Sequence, residues 1–259
     1  MLLYLLLIFF FFSPPKSYSQ EATPAAGLFD TYKTDYLYQR KIYQENYLDY
    51  SKKKEIHTQY GTLITQADKN EATTKTLIAR NTMLKAYLMA IRVNMDQYED
   101  QDPIETEIIQ IELAKLEEWL DEQNSIVSSI NNESDISDWA ETFRFKYITI
   151  QQQIYSSLVQ NEVNQKTLVL RKIQKLASDI QNSPQVSPES QQWFSSLPIK
   201  SDLVVASLDN AVNKMKKKQY SGNTFNNFYP EAKADLNKAN FYLLEIIGDL
   251  KSIVLKFTN

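Results

Sequence analysis

His57 is the only histidine in the chain, so any imidazole chemistry has to run through this one side chain. A carboxylate-bridged di-iron bundle needs a Glu-x-x-His motif on each of two helices, and the residue three before His57 is Lys54. Zinc sites built from several histidines fail on the same count. Cysteine is absent, which removes thiolate ligands, thiol nucleophiles, disulfides and the lipid-bearing cysteine of a lipoprotein together. Ser51-Lys52-Lys53-Lys54 fits the Ser-x-x-Lys pattern of penicillin-binding enzymes, but neither Ser-Asp-Asn nor Lys-Thr-Gly occurs in the chain. It reads as a solvated helix face. Glu117, Glu118, Asp121 and Glu122 could pair for acid–base work, yet an acidic run on a helix is ordinarily its wet side. No phosphate-binding loop and no dinucleotide fingerprint is present, and with only four glycines there is little material for either. The expected catalytic and metal-ligating sets are therefore empty, no cofactor is expected, and the chain reads as a non-enzyme.

Two clusters suit binding better than catalysis. Lys214, Lys216, Lys217 and Lys218 crowd the end of one helix, where they can complement the helix dipole or meet an anionic surface. The dipole reading suits an acidic chain of formal charge −4, which also argues against a nucleic-acid partner. The segment Tyr220 to Tyr229 reads as a loop, opened by Ser221-Gly222 and carrying Phe225, Phe228 and Tyr229 among asparagines. Loop aromatics either plug the end of a bundle or form an exposed contact. These three residues are the candidate partner contact.

The elements that must position such groups are long helices. Asp135 to Asn182 has neither proline nor glycine, and Trp139, Phe143, Tyr147, Ile150, Ile154, Leu158, Leu168, Ile173, Leu176 and Ile180 recur at helical spacing. A rod of that length, roughly 70 Å, cannot cover its own apolar stripe, so other helices must run along it. The spacing predicts an all-α, elongated antiparallel helical bundle of about five to seven long amphipathic helices. Leu28 to Thr65 carries an aromatic stripe from Phe29 to Tyr50 that is best spent on packing, and Glu71 to Tyr98 carries Leu84, Leu88 and Ile91 on one face. Gln66 to Asn70 separates them either as a turn or as part of one continuous helix. Asp102-Pro103 starts a helix with Leu113, Leu116 and Leu120 inward and Gln123 as one polar interruption. Pro184 and Pro188 mark a linker over 183–190, and Pro198 is expected to break or kink a short helix before the one over Ser201 to Tyr220. Pro230 is expected to open the last helix, whose seam of Leu236, Ala239, Leu243, Ile246, Leu250 and Ile253 is the most regular in the chain. Such a seam suits either an internal contact or a homo-oligomer.

At the front of the chain, Leu2 to Phe12 is an unbroken apolar run, too short to span a bilayer but suited to a secretory signal. The expected organisation is a signal over 1–19, cleaved or retained as an anchor, and a linker over 20–27. A long-helix bundle over 28–182, the linker over 183–190 and C-terminal helices over 191–259 follow. The functional expectation is an exported binding or structural protein of the cell envelope or extracellular space, with a protein or other envelope component as partner. A membrane-active helical protein is the alternative, and a secreted hydrolase using carboxylates or a serine–lysine pair is the weaker rival.

Overall fold

The central rod is α4, Glu133–Gln181, whose 49 residues make it about 70 Å long. Asn132 caps it, its side-chain oxygen accepting from the Asp135 amide at 2.9 Å, and Glu133 and Asp135 place negative charge at the positive end of the dipole. Around it, the computed structural model describes residues 24–97, 103–130, 132–182, 188–216 and 225–258. The other helices are α1 (Pro24–Tyr60), α2 (Leu63–Met95), α3 (Pro103–Ser129), α5 (Pro188–Lys216) and α6 (Phe225–Thr258). The protein is all-α, and no strand occurs among the described residues. The signal-like segment 1–19, most of the linker over 183–190 and Lys217 and Lys218 lie outside those residues.

The helices form two groups that share α4. On one side α2 packs on α3, both pack on α4, and α1 lies against α2; on the other side α5 and α6 pack on α4 and on each other. Among the described residues no backbone contact links α5 or α6 to the first three helices, so α4 is the one helix packed on both groups. Sequence neighbours run antiparallel. Thr76 bonds the Asn46 carbonyl between α1 and α2, Arg92 pairs with Glu117 between α2 and α3, and Lys214 pairs with Asp235 between α5 and α6. A single continuous core runs through both groups, from Leu88 and Leu120 through Ile150 and Val159 to Val204 and Ile246.

Several boundaries differ from those the sequence suggests. The first turn falls at Gly61-Thr62 and not at Gln66 to Asn70, which lies inside α2. Gly61 takes φ +60, the left-handed conformation that ends helices, and its amide bonds the His57 carbonyl at 2.8 Å. Thr62 then caps α2 reciprocally with Thr65. Helix α1 starts at Pro24 inside the expected linker, since proline suits a first turn and Ala25 and Ala26 favour helix. Pro198 neither ends nor splits α5, because Phe194 and Leu197 before it and Val204 and Leu208 after it are all buried against neighbours. That burial outweighs the roughly 3 kcal/mol a helical proline costs. Leu176 is exposed where the stripe was expected to be covered, and Ala177 takes the inward position at proper spacing from Ile173.

The polar interruption at Gln123 has a purpose. Its side-chain oxygen accepts the Trp139 indole N–H at 2.9 Å in the buried α3–α4 seam. Gln123→Leu is expected to leave that donor unpaired and cost about 1–3 kcal/mol in urea denaturation. Unchanged stability would mean the indole had found another acceptor.

Candidate functional site

The aromatic contact expected at Phe225, Phe228 and Tyr229 is not on a loop. All three belong to the first turns of α6, and Pro230 sits inside that helix rather than at its start. A proline so near the N-terminus removes only one early backbone bond, so helix can begin ahead of it. Tyr229 faces inward, stacked on Tyr155 of α4 with ring centroids 4.6 Å apart. Tyr87 of α2 belongs to the same neighbourhood and is itself 5.0 Å from Tyr36 of α1. Phe228 is half-buried. These rings thus gather halfway along α4, where the two helix groups meet, and Tyr229 acts as a plug.

Burial governs the electrostatics of this junction. It pushes the Tyr229 hydroxyl up to about 12, with the Glu162 carboxylate and Tyr155 adding to the effect, and Tyr147 likewise to about 12. Tyr36 and Tyr87 are raised further for the same reason. Arg80 is pulled down to about 10 by burial, and its guanidinium lies 3.9 Å from the Phe143 ring centre and 5.4 Å from that of Trp139. A cation so held braces the α2–α4 packing. Beside the junction, a cleft of about 250 Å³ opens between Phe29, Lys33, Tyr36 and Arg40 of α1 and Tyr87 and Ile91 of α2. Ligand pockets run about 300–1,000 Å³, so this one suits a side chain better than a metabolite.

The chemical motifs do not converge. The Ser51 hydroxyl donates to the Tyr47 carbonyl of its own helix at 2.8 Å, and Lys54 lies over the Tyr50 ring, so no serine–lysine pair forms. His57 is hydrogen-bonded to Thr65 across the Gly61 turn at 3.1 Å. Among the described residues no group of three or more carboxylate, histidine or cysteine side chains could hold a metal ion. The acidic run is not simply a wet face, because Glu117 is buried. It accepts two bonds from Arg92, at 3.0 and 2.8 Å, while Asp121 pairs with Lys85. Burial raises the Glu117 carboxyl, and Arg92 offsets only part of that rise. Lys214, expected to serve the helix dipole, instead pairs with buried Asp235 at 2.5 Å.

Exposed apolar surface is concentrated elsewhere. The last-helix seam from Leu236 to Ile253 is fully internal, while Phe241 and Leu244 on the outer side of α6 are exposed. More concentrated is the α1–α2 turn. Leu63 is 84% exposed, Ile64 75% and Tyr60 63%, with Ile56 also exposed one turn below. Lys69 of α2 pairs with Glu133, the first residue of α4, and Gln66 bonds the same carboxylate, so the first turns of α2 lie beside the start of the rod. The turn is tightly bonded: the Gly61, Thr62, Thr65 and Gln66 amides all have partners within it. Sequence reasoning missed this tip because it placed the turn several residues later. The signal was present as Gly61 followed by Thr62-x-x-Thr65, a helix stop joined to a cap.

No protein-family model, curated protein or solved structure matches this chain.

Proposed function

We propose that this is an exported interaction protein of the cell envelope or extracellular space, a helical bundle that presents the α1–α2 hairpin as its contact arm. The observation that carries the reading is the state of α1. Its backbone rests on α2 alone, while Leu37, Tyr38, Leu48, Ile56 and Tyr60 stand exposed along it. Large apolar side chains displayed on one weakly covered helix mark an interaction surface. The signal-like run Leu2 to Phe12 supports export, and no helix among the described residues is long and apolar enough to cross a membrane. The dispersal of His57, Ser51 and the carboxylates into structural bonds favours binding over catalysis.

Two measurements test the reading. N-terminal sequencing of the natural protein from fractionated cells and medium is expected to find a species starting near Gln20 outside the cytoplasm. Photo-crosslinking side chains placed at Leu37 and Leu48 are expected to give discrete adducts in intact cells, whereas one placed at exposed Glu141 on α4 gives none. A cytoplasmic protein with an intact leader, or adducts equal from all three positions, overturns it.

A further inference from the structure

We infer that Arg80 and the hydroxyls of Tyr43 and Tyr147 form a binding site for the carboxylate of a small, partly apolar organic acid, set in the furrow between α1 and α4. The inference goes beyond the arm reading and does not depend on it.

Among the described residues Arg80 has no carboxylate partner, whereas Lys69, Lys85, Arg92, Lys200 and Lys214 each meet one on another helix. Arg80 is half-buried on α2, and the acceptor it meets is the neutral side-chain oxygen of Asn81, 3.2 Å from Nη2. Its Nε is shut off from solvent with no hydrogen-bond partner. Burial pulls the guanidinium down to about 10, and the groups that act against that pull are the Tyr43 and Tyr147 hydroxyls. Both are neutral at ordinary pH. An enclosed charge left unpaired is costly, so this position favours an anion supplied from outside.

The surroundings select the anion. The guanidinium carbon lies 3.9 Å from the Phe143 ring centre and 5.4 Å from that of Trp139, so the rings hold its face and leave its edge to make hydrogen bonds. A carboxylate offers that edge two parallel acceptors, and its single negative charge balances one arginine. Phosphate sites ordinarily draw on the free amides of a helix start, whereas Arg80 lies in the middle of α2. Access follows from the packing. Among the described residues no backbone contact links α1 to α4, so α2 floors a furrow between them. Tyr43 of α1 and Tyr147 of α4 are half-buried on its two sides, with the Tyr43 hydroxyl acting on that of Tyr147. Tyr47, whose ring centroid is 6.2 Å from that of Tyr43, is exposed at the rim. Aromatic walls suit an apolar body, and phenol O–H groups can donate to a carboxylate.

The test titrates the whole protein with sodium benzoate, acetate and phosphate, each against sodium chloride at equal ionic strength, and follows the Arg80 Nε–H signal by nitrogen-15 NMR. Benzoate is expected to move that signal saturably, acetate more weakly, and chloride not at all. Arg80→Met keeps the apolar stem and removes the charge. Benzoate should raise the thermal midpoint of the parent protein and leave that of this variant where it is. Tyr43→Phe combined with Tyr147→Phe keeps both rings and the cation but removes two donors to the anion. It should weaken benzoate binding by more than about tenfold. An equal response to benzoate and chloride, a benzoate response that survives Arg80→Met, or unchanged benzoate affinity in the tyrosine double variant overturns the site. Phosphate that binds as tightly as benzoate overturns the carboxylate assignment. Should Arg80→Met fail to fold, the tyrosine double variant decides by itself.

Discussion

Val159→Pro is expected to cost more than about 3 kcal/mol and to split one unfolding transition into two. Val159 is 1% exposed and lies midway along α4, the one helix that packs against both groups. Proline there removes the amide that bonds the Tyr155 carbonyl, and its ring collides with that carbonyl. The cost of the lost bond adds to that of disturbed packing at a position with no free volume. The larger consequence is mechanical. With α4 intact, neither group can melt without unfolding half of the other's central helix, so the parent protein should unfold in one cooperative step. A break at the junction lets α2, α3 and the first half of α4 melt separately from α5, α6 and the second half. Urea denaturation followed by circular dichroism reads this directly. Val159→Ala, which shortens the side chain without touching the backbone, should lower the midpoint and leave one transition. A single transition in the proline variant at an unchanged midpoint would refute the account of α4 as the coupling element.

Alkaline unfolding is the second large effect expected. Tyr147 and Tyr229 have hydroxyls raised by burial from 10.0 to about 12. The folded state therefore holds its tyrosine protons more tightly than the unfolded chain does. Stability from these rings is fully present below pH ~10, where both states are protonated, and is lost as pH climbs from there through pH ~12. A shift of this size corresponds to roughly 2–3 kcal/mol for each ring, so together they cost several kcal/mol across that window. Tyr36, Tyr43, Tyr87 and Tyr155 are raised in the same direction and steepen the fall. The measurement is the urea midpoint against pH, with tyrosinate absorbance as a second probe. Tyr229→Phe keeps the ring stacked on Tyr155 and removes the proton, so its curve should be flatter by about one ring's share. A parent protein whose urea midpoint stays level through this window would show that the junction hydroxyls reach water.

Both effects depend on the same place in the molecule, and the sequence reveals it only in part. Tyr36, Tyr155 and Tyr229 are visible as aromatics on their separate segments, but nothing in the spacing says that they share one junction. That depends on where α2 stops and α6 starts along α4, a register set by packing. The same limit applies to charge. Glu117 is indistinguishable in the chain from Glu118 or Glu122, and only the position of Arg92 across the α2–α3 seam makes it the buried member. Gln123 is conspicuous in sequence as a polar residue in an apolar row, yet its partner Trp139 is sixteen residues away on the next helix.

What the chain determines by itself is the helical character and the identity of most inward faces. Periodicity at three and four residues is a local property, and long runs without proline or glycine leave few alternatives. Leu113 to Leu120, Ile150 to Leu158 and Leu236 to Ile253 are accordingly buried as their spacing requires. What only the tertiary structure decides is where local signals compete. Pro198 is a breaker in isolation and loses to packing on both sides, Pro230 is tolerated because it lies in the first turns of α6, and Gly61 is a mild signal that wins because a capped, hydrogen-bonded turn is ready beside it. Exposure is decided there too. The regular last-helix seam and the hairpin tip are both apolar in sequence, but α4 and α5 cover the first, and nothing among the described residues covers Leu63 and Ile64. Burial is a relation between distant segments, so no reading of one segment could have told these two apart.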